Sequence, residues 1–317
     1  MELILTPEAE AFVEEWVSPS RYIVARTSGS TGQPKEILLS KEDMSASARA
    51  TNKFFGIDSF STLLLPLAPS YIAGKMQIVR ALTAGCKLIT EKSSNRPFPH
   101  FSGKATMIPV VPSQLESLIE TGLYRKVDNI IIGGSPLSPE METRLFGLGA
   151  RAWVTYGMTE TCSHVALRKI GSDKYEALPG FEFSTDAEQC LRISSTTLSF
   201  GSLQTNDIVE ICGTKSFKWL GRRDNVINSG GIKIFPEEIE KELSRMVKPE
   251  TEFYVTSRRS LQWGEEAVII TTAEENAFPA SILSEYNSIK GKSLIKDLIR
   301  TDYIERTSSG KIIRRRR

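Results

Sequence analysis

Between residues 62 and 157 the chain alternates short apolar runs with amphipathic ones. "STLLLPL", "CKLIT", "ATMIPV", "VDNIIIGG" and "RAWVTYG" read as strands, whereas "SYIAGKMQIVRALTAG", "VPSQLESLIE" and "SPEMETRLFGLG" carry helical spacing. This rhythm constrains the fold more than any other feature. Each helix has to bury its apolar stripe on a sheet face, and the chain then returns to a roughly parallel strand. The fold class is therefore α/β, with functional residues expected at strand ends. Local punctuation agrees: Gly85 reads as a helix C-cap, Pro112 lies near a helix start, and Ser138 reads as an N-cap.

Upstream, a capped amphipathic helix is expected from Thr6-Pro7. Residues 22–26 and 36–39 read as a hairpin, followed by a helix from Ser40 or Lys41 to about Phe55. After Gly180 the pattern becomes β-rich, with "CLRISS", "DIVEICG" and "SFKWLG" as short strands. From Pro236, "PEEIEKELSRMV", "EFYVTSRR", "EAVIITT" and a helix near 278–289 outline a small α+β unit. "GRRDNVINSGG", residues 221–231, has the charge and glycine content of a linker. The expected division is 1–222, a larger N-terminal domain with a mainly parallel sheet plus a β-rich segment, and 223–317, a small α+β C-terminal domain.

Several function classes are excluded or unsupported. A formal net charge of +2 gives no global field for nucleic acid, and the basic end, Arg314 to Arg317, reads as a solvated tail. Cys86, Cys162, Cys190 and Cys212 lack metal-ligand spacing, and the only histidines are His100 and His164. Neither a structural zinc nor a disulfide framework is expected, and reduced thiols point to the cytoplasm. No apolar run approaches the roughly 20 residues of a membrane span. The start, "MELILTPEAEAFVEEWV", has no basic residue and five glutamates, unlike a signal peptide.

"TSGSTGQPK", residues 27–35, sits between the two hairpin strands. It is no Walker loop, since Pro34 stands five residues after Gly29, and Gly29 and Gly32 form no Rossmann fingerprint. "GLGARA", 147–152, matches G-x-G-x-x-A but follows a helix and precedes a strand, so it reads as a C-cap. The 27–35 loop still suits phosphate. Its glycines let backbone N–H groups converge on an anion, Thr27, Ser28, Ser30 and Thr31 add hydroxyl donors, and Lys35 adds charge. A hairpin tip without function is the alternative.

The loop resembles the phosphate-binding loop of the adenylate-forming superfamily, which includes acyl-CoA synthetases, peptide-synthetase adenylation domains and luciferases. "YGMTET" (156–161), "TND" (205–207), "GRRDNVI" (221–227), "GGIKIFPEEIE" from Gly230 and "RTSSGKIIR" (306–314) resemble its other signatures, in the family's order. The resemblance implies two steps: a carboxylate attacks the α-phosphorus of ATP, and a thiol, coenzyme A, then takes the acyl group. It assigns Thr27 to Gly32 and Lys35 to the β/γ-phosphates, and Gly133, Gly134 and Ser135 to the adenine-side loop. Tyr156 would stack on adenine, with Gly157 leaving room. Thr159 and Glu160 would meet the phosphates, Glu160 holding Mg²⁺. Asp207, with Arg222 beside it, would accept the ribose hydroxyls. Lys311 would be the catalytic lysine bridging carboxylate and α-phosphate, carried on a mobile C-terminal domain that turns about Asp224. Gly230 and Gly231 would line the pantetheine channel. Asn228 stands where many members carry lysine. Members also carry a longer region before the phosphate loop, so the usual first N-terminal subdomain is expected to be largely missing, as in a naturally short form or a fragment.

"YGMTETCSHVALRKI" and "YIAGKMQIVRA" resemble the o-succinylbenzoate–CoA ligases in particular. This acid carries a second carboxylate that must stay uncoupled, which calls for a fixed cation and a donor. Lys75 lies one helical turn beyond Tyr71, so both can face one way, with Arg80 on another face. Ser163 and His164 follow the adenine-binding turn. Tyr71, Lys75, Ser163 and His164 are therefore the candidate acid-binding residues. A solvated Lys75 and a structural His164 are the alternatives. Another aryl- or acyl-CoA synthetase, a carrier-loading adenylation enzyme and a non-catalytic nucleotide-binding relative remain alternative functions. The expected partners are ATP, coenzyme A and a small carboxylic acid.

Overall fold

The computed structural model describes residues 1–26, 36–249, 251–306 and 312–316. The chain opens with β1 (Leu3–Ile4) and α1 (Pro7–Val17). Thr6 Oγ1 caps α1 by accepting the Ala9 N–H at 3.4 Å. Strands β2 (Tyr22–Arg26) and β3 (Glu36–Ser40) pair antiparallel as a separate two-stranded sheet. Helix α2 (Lys41–Phe55) starts at Ser40, whose hydroxyl accepts the Asp43 N–H at 3.0 Å, and stops at Gly56, φ 65°.

The alternating core follows as β4 (Thr62–Leu65), α3 (Ile72–Ala84), β5 (Lys87–Thr90), β6 (Ala105–Val110), α4 (Leu115–Glu120), β7 (Val127–Ile132), α5 (Pro139–Gly147) and β8 (Ala152–Gly157). Gly85 and Ser138 cap as expected. The helix expected from Pro112 begins instead as a 3₁₀ turn, Pro112–Gln114, before α4. Then come β9 (His164–Lys169), β10 (Tyr175–Ala177), β11 (Phe181–Thr185), β12 (Cys190–Ser195), β13 (Ser202–Gly213) and β14 (Ser216–Arg222).

These strands make one twelve-stranded sheet in the order β1-β5-β4-β6-β7-β8-β9-β10-β14-β13-β12-β11. The half from β1 to β8 is parallel, and from β8 onward every pairing is antiparallel. The β-rich segment therefore continues the same sheet. The chemistry of each half fits its burial. In β4, Leu63 and Leu65 pack with α1, α2 and α3, while Leu64 packs on the other face with α4 and α5. Strands covered on both faces read as continuous apolar runs. In β11, Phe181 and Phe183 are buried and Glu182 and Ser184 exposed, the alternation of a sheet covered on one face.

The C-terminal part holds β15 (Ile227–Ser229), β16 (Ile232–Ile234), α6 (Pro236–Leu243), β17 (Phe253–Ser260), β18 (Gly264–Thr271), α7 (Ser281–Lys290) and β19 (Ile295–Arg300). Its strands form a second sheet over a core of Ile227, Leu243, Val255, Ile269, Phe278 and Tyr286. Helix α6 ends at Leu243, short of the expected span.

Most of residues 221–231 is regular structure: they end β14, form a 3₁₀ turn and build β15, with Gly230 and Gly231 making its two-residue turn into β16. Both glycines have positive φ, 56° and 84°, as a tight hairpin of this type demands. The expectation for the basic end is corrected at Arg314, which is largely withdrawn from solvent, whereas Arg315 and Arg316 are exposed. Arg314 forms a bidentate pair with Glu240, with Nη2 to Oε2 at 2.6 Å, and donates to the Val255 carbonyl at 3.0 Å. Arg315 pairs with Glu305 and Arg316 with Glu265. Buried guanidinium groups need such partners, and the fold places acids opposite the run.

Candidate active site

The described nucleotide assignments lie at and just beyond the ends of β7 and β8 and in the β13–β14 ladder of the large sheet. Gly133 directly follows β7, and Thr155 of β8 donates its hydroxyl to the Ile132 carbonyl at 3.1 Å. A Cβ at Gly133 would sit 2.6 Å from Thr155 Oγ1, so only glycine allows the two strand ends to lie this close. Gly134 has φ 89° and brings the chain to Ser135.

Tyr156, at the end of β8, donates its hydroxyl to Asp207 Oδ2 at 2.7 Å. The other carboxylate oxygen, Oδ1, accepts Trp219 Nε1–H at 3.3 Å and lies 3.6 Å from Arg222 Nη1. Asp207 and Arg222 are directly opposed in the β13–β14 ladder. Residues 156, 207 and 222, scattered in sequence, thus form one cluster. Burial and the Asp207 carboxylate push the Tyr156 phenol well above its ordinary range, so it stays a hydrogen-bond donor.

Gly157 has a steric reason of its own: a Cβ there would overlap the Ser163 carbonyl and lie 2.5 Å from His164 Cα, so its missing side chain makes room for the start of β9, where the β8–β9 register shifts.

After β8 the chain makes a 3₁₀ turn, Thr159–Thr161. Thr161 Oγ1 accepts the Met158 N–H at 3.0 Å and also lies 2.7 Å from the Ser163 carbonyl, which fixes the turn. Glu160 is exposed and lines a cleft of about 180 Å³ with Asp43, Cys162, Ser199 and residues 37–40 of β3. β3 is the strand leaving the hydroxyl–glycine loop, so Glu160 is brought beside that loop's exit. The loop residues Thr27, Ser28, Gly29, Ser30, Thr31, Gly32 and Lys35 themselves lie outside the described residues, as does Lys311. No cluster of three metal-binding side chains occurs among the described residues. One cleft-facing carboxylate nonetheless suits Mg²⁺, which takes one or two protein carboxylates and completes its shell with phosphate and water oxygens.

The acid-binding candidates separate. Tyr71 precedes α3 and is exposed. Lys75 points toward α1, 3.4 Å from Glu15 and 4.4 Å above the Phe12 ring. Neither meets Ser163 or His164, which corrects the expectation for both. Arg80, on another face of α3, takes that place: its Nη2 donates to Ser163 Oγ at 2.7 Å. Nη1 donates to Gln77 Oε1 at 3.3 Å, while Nε has no partner among the described residues. Arg80 is 1% exposed and pairs with no carboxylate among the described residues. Burial pushes its pKa down to about 9. The sequence did carry a signal. The apolar residues that flank Arg80 in α3, Ile78, Val79 and Ala81, mark a buried stretch in which a charged side chain needs a protein or ligand partner.

In the C-terminal part, Gly230 packs under Trp263 and donates its N–H to the Trp263 carbonyl at 2.9 Å. Asp224 lies in the 3₁₀ turn after β14, 3.4 Å from Arg222 Nη2, and its carbonyl accepts from Arg316 at 3.3 Å.

The sequence profile of the family described as "AMP-binding enzyme" matches residues 7–185. A 2-succinylbenzoate–CoA ligase of Listeria monocytogenes serotype 4b is 29% identical over 343 residues, covering 97% of this chain and 72% of that protein. An Enterococcus faecalis enzyme of the same name is 26% identical, covering 92% and 67%. Among solved structures, an acyl-CoA synthetase (AMP-forming)/AMP-acid ligase II-like protein from Dyadobacter fermentans superposes with TM-score 0.66 at 31% identity, covering 96% of this chain and 91% of that one. The o-succinylbenzoate coenzyme A synthetase of Bacillus subtilis, in complex with ATP and magnesium ion, shares the fold at TM-score 0.74 and 20% identity, covering 92% and 68%. With the Tyr156–Asp207–Arg222 cluster and the Glu160 cleft in the family's order along the chain, these matches settle its membership: the chain belongs to the AMP-binding enzyme family.

Proposed function

We propose that the chain is an ATP-dependent acid–CoA ligase that converts o-succinylbenzoate to its acyl-adenylate and then to the CoA thioester, in the cytoplasm and toward menaquinone. The observation that carries the choice of acid is Arg80. A buried guanidinium without a carboxylate partner is costly unless a ligand supplies one. Arg80 stands beside Ser163 and His164, just beyond the turn that carries Glu160. A dicarboxylic acid would offer its spectator carboxylate to Arg80 and its aryl carboxylate to ATP. A fatty acid has no group for Arg80. The names borne by the Listeria and Enterococcus relatives point the same way.

In the first step an anion must approach a polyanion, so cations and donors have to be preset. Asp207 would accept the ribose hydroxyls, with Arg222 beside it and Tyr156 holding one carboxylate oxygen in place. Gly133, Gly134 and Ser135 would border the adenine. Thr159, the 27–32 loop and Lys35 would hold the phosphates. Glu160 would hold Mg²⁺, which supplies charge neutralisation at the phosphates. Lys311 would bridge the acid and the α-phosphate from a C-terminal domain, residues 223–317, that turns about Asp224 between steps. Gly230 and Gly231 would then border the pantetheine.

ATP–pyrophosphate exchange with a panel of acids tests this. Exchange should depend on o-succinylbenzoate and stay near background with benzoate or palmitate. Faster exchange with a monocarboxylic acid would overturn the choice of substrate, and no exchange with any acid would favour a non-catalytic relative.

A further inference from the structure

Three buried polar side chains, Arg80, His164 and Thr51, and the half-buried Ser163 form one chain of hydrogen bonds across three segments. Arg80 of α3 reaches Ser163 Oγ at 2.7 Å. Ser163 Oγ lies 3.3 Å from His164 Nδ1, and His164 Nε2 lies 3.1 Å from Thr51 Oγ1 of α2. Thr51 Oγ1 lies 3.3 Å from the Ser47 carbonyl. Both ends of this chain are chemically one-way. A guanidinium can only donate and a carbonyl can only accept.

The direction of every link follows. The Thr51 hydroxyl donates its one hydrogen to the Ser47 carbonyl, so its oxygen accepts the imidazole proton, which is then on Nε2. A neutral ring leaves Nδ1 bare to take the Ser163 hydroxyl hydrogen, while Arg80 donates to a Ser163 lone pair. His164 is 5% exposed and Thr51 0%. Burial first, and the Arg80 charge second, hold the imidazole pKa well below its ordinary value, so the ring is neutral. Asn52 of α2 ties the same helices together, donating to the Arg80 carbonyl at 3.0 Å.

We propose that His164 is a positioning residue, carrying its proton on Nε2 and orienting Ser163 and Arg80, and not a donor to the acid. Both of its nitrogens are already used by protein. Ser163 then shows the site only acceptor capacity, because its hydrogen is committed. The remaining guanidinium donors of Arg80 are the groups offered to a ligand, and the ligand feature they select is an anionic oxygen pair. This rests on the acid-binding role proposed above for Arg80.

The experiment is done on the full chain with its substrates. Thr51→Val removes the acceptor for Nε2–H with nearly unchanged volume, and Thr51→Ser keeps it. Thr51→Val should raise KM for o-succinylbenzoate roughly tenfold, the scale of one buried hydrogen bond lost, with KM for ATP unchanged. Thr51→Ser should behave as wild type. Nitrogen-15 spectra of histidine-labelled wild type, assigned with His100→Gln, should show His164 protonated at Nε2 only. A proton on Nδ1, or a Thr51→Val enzyme with wild-type KM for the acid, would overturn the proposal even if the wild type uses o-succinylbenzoate. Should the wild type adenylate no dicarboxylic acid, the functional proposal fails instead, while the spectra still decide the tautomer.

Discussion

Tyr156 and Asp207, 51 residues apart, meet at 2.7 Å between the phenol hydroxyl and Oδ2. The contact joins the last parallel strand, β8, to the antiparallel half of the sheet at β13. A carboxylate fixed in this way is preorganised for a further donor, which is the requirement for gripping a ribose.

Asp207→Ala should therefore weaken ATP binding by about 3 kcal/mol, near a hundredfold, as expected for losing charge-assisted bonds to two hydroxyls. Tyr156→Phe should weaken it less. Calorimetry with 2′-deoxy-ATP provides the control: the deoxy analogue should bind wild type more weakly than ATP does, but bind Asp207→Ala equally well. A deoxy penalty that persists in Asp207→Ala would assign the ribose to another residue.

Arg80 and Lys75 make opposite predictions. Arg80→Leu should raise KM for o-succinylbenzoate by at least about thirtyfold, the loss expected when one partner of a buried charge pair is removed, while ATP binding holds. Lys75→Ala should leave both constants unchanged and lower Tm slightly. It loses a pair with half-exposed Glu15 and a cation–π contact with Phe12, together about 1 kcal/mol. Steady-state kinetics on the two variants discriminates, and a large acid effect in Lys75→Ala would restore the lysine to the site.

Glu142 and Arg168 form a bidentate pair at 2.5 and 2.9 Å that ties α5 to β9, and Glu142 also accepts the Gly171 N–H. Burial alone would raise the Glu142 pKa, but the bonds from Arg168 and Gly171 outweigh it and lower it from 4.5. A depressed carboxyl contributes stability that is full above the unfolded value and is lost as pH falls through the folded one. Unfolding free energy should thus decline below about pH 4.5, and Glu142→Gln should flatten that decline. At neutral pH the variant should cost about 2 kcal/mol. Denaturant melts across pH 3–7 would show it, and parallel curves for wild type and variant would count against the pair.

Arg314→Met would leave Glu240 buried and unpaired, costing about 3 kcal/mol. The C-terminal sheet should become sensitive to limited proteolysis, and Glu240→Gln in the same chain should recover part of the loss. A variant that melts like wild type would return Arg314 to the solvated tail implied by its sequence position.

Lys311→Ala should abolish pyrophosphate exchange and spare thioester formation from presynthesised acyl-adenylate, because the lost cation acts on charge developing at phosphorus. Equal loss of both half-reactions would exclude a step-specific lysine.

The sequence by itself determined the α/β class, the caps at Thr6, Gly85 and Ser138, and the order of the nucleotide motifs. Those features are local: a cap is read within four residues, a period within one helix, and a motif within ten. The partners were decided by tertiary structure. Helical spacing correctly put Lys75 and Arg80 on different faces, but it could not say which face met Ser163, because that depends on how α3 lies between α1 and β9. The steric need for glycine at 157 became visible only with the start of β9 in place, since a Cβ would clash with Ser163 and His164. Arg314 looked solvated because its acid, Glu240, reaches it only when α6 and β17 have packed. Pairing between residues dozens of positions apart depends on strand order and helix docking, and those are set by burial of the whole core rather than by any single stretch of chain.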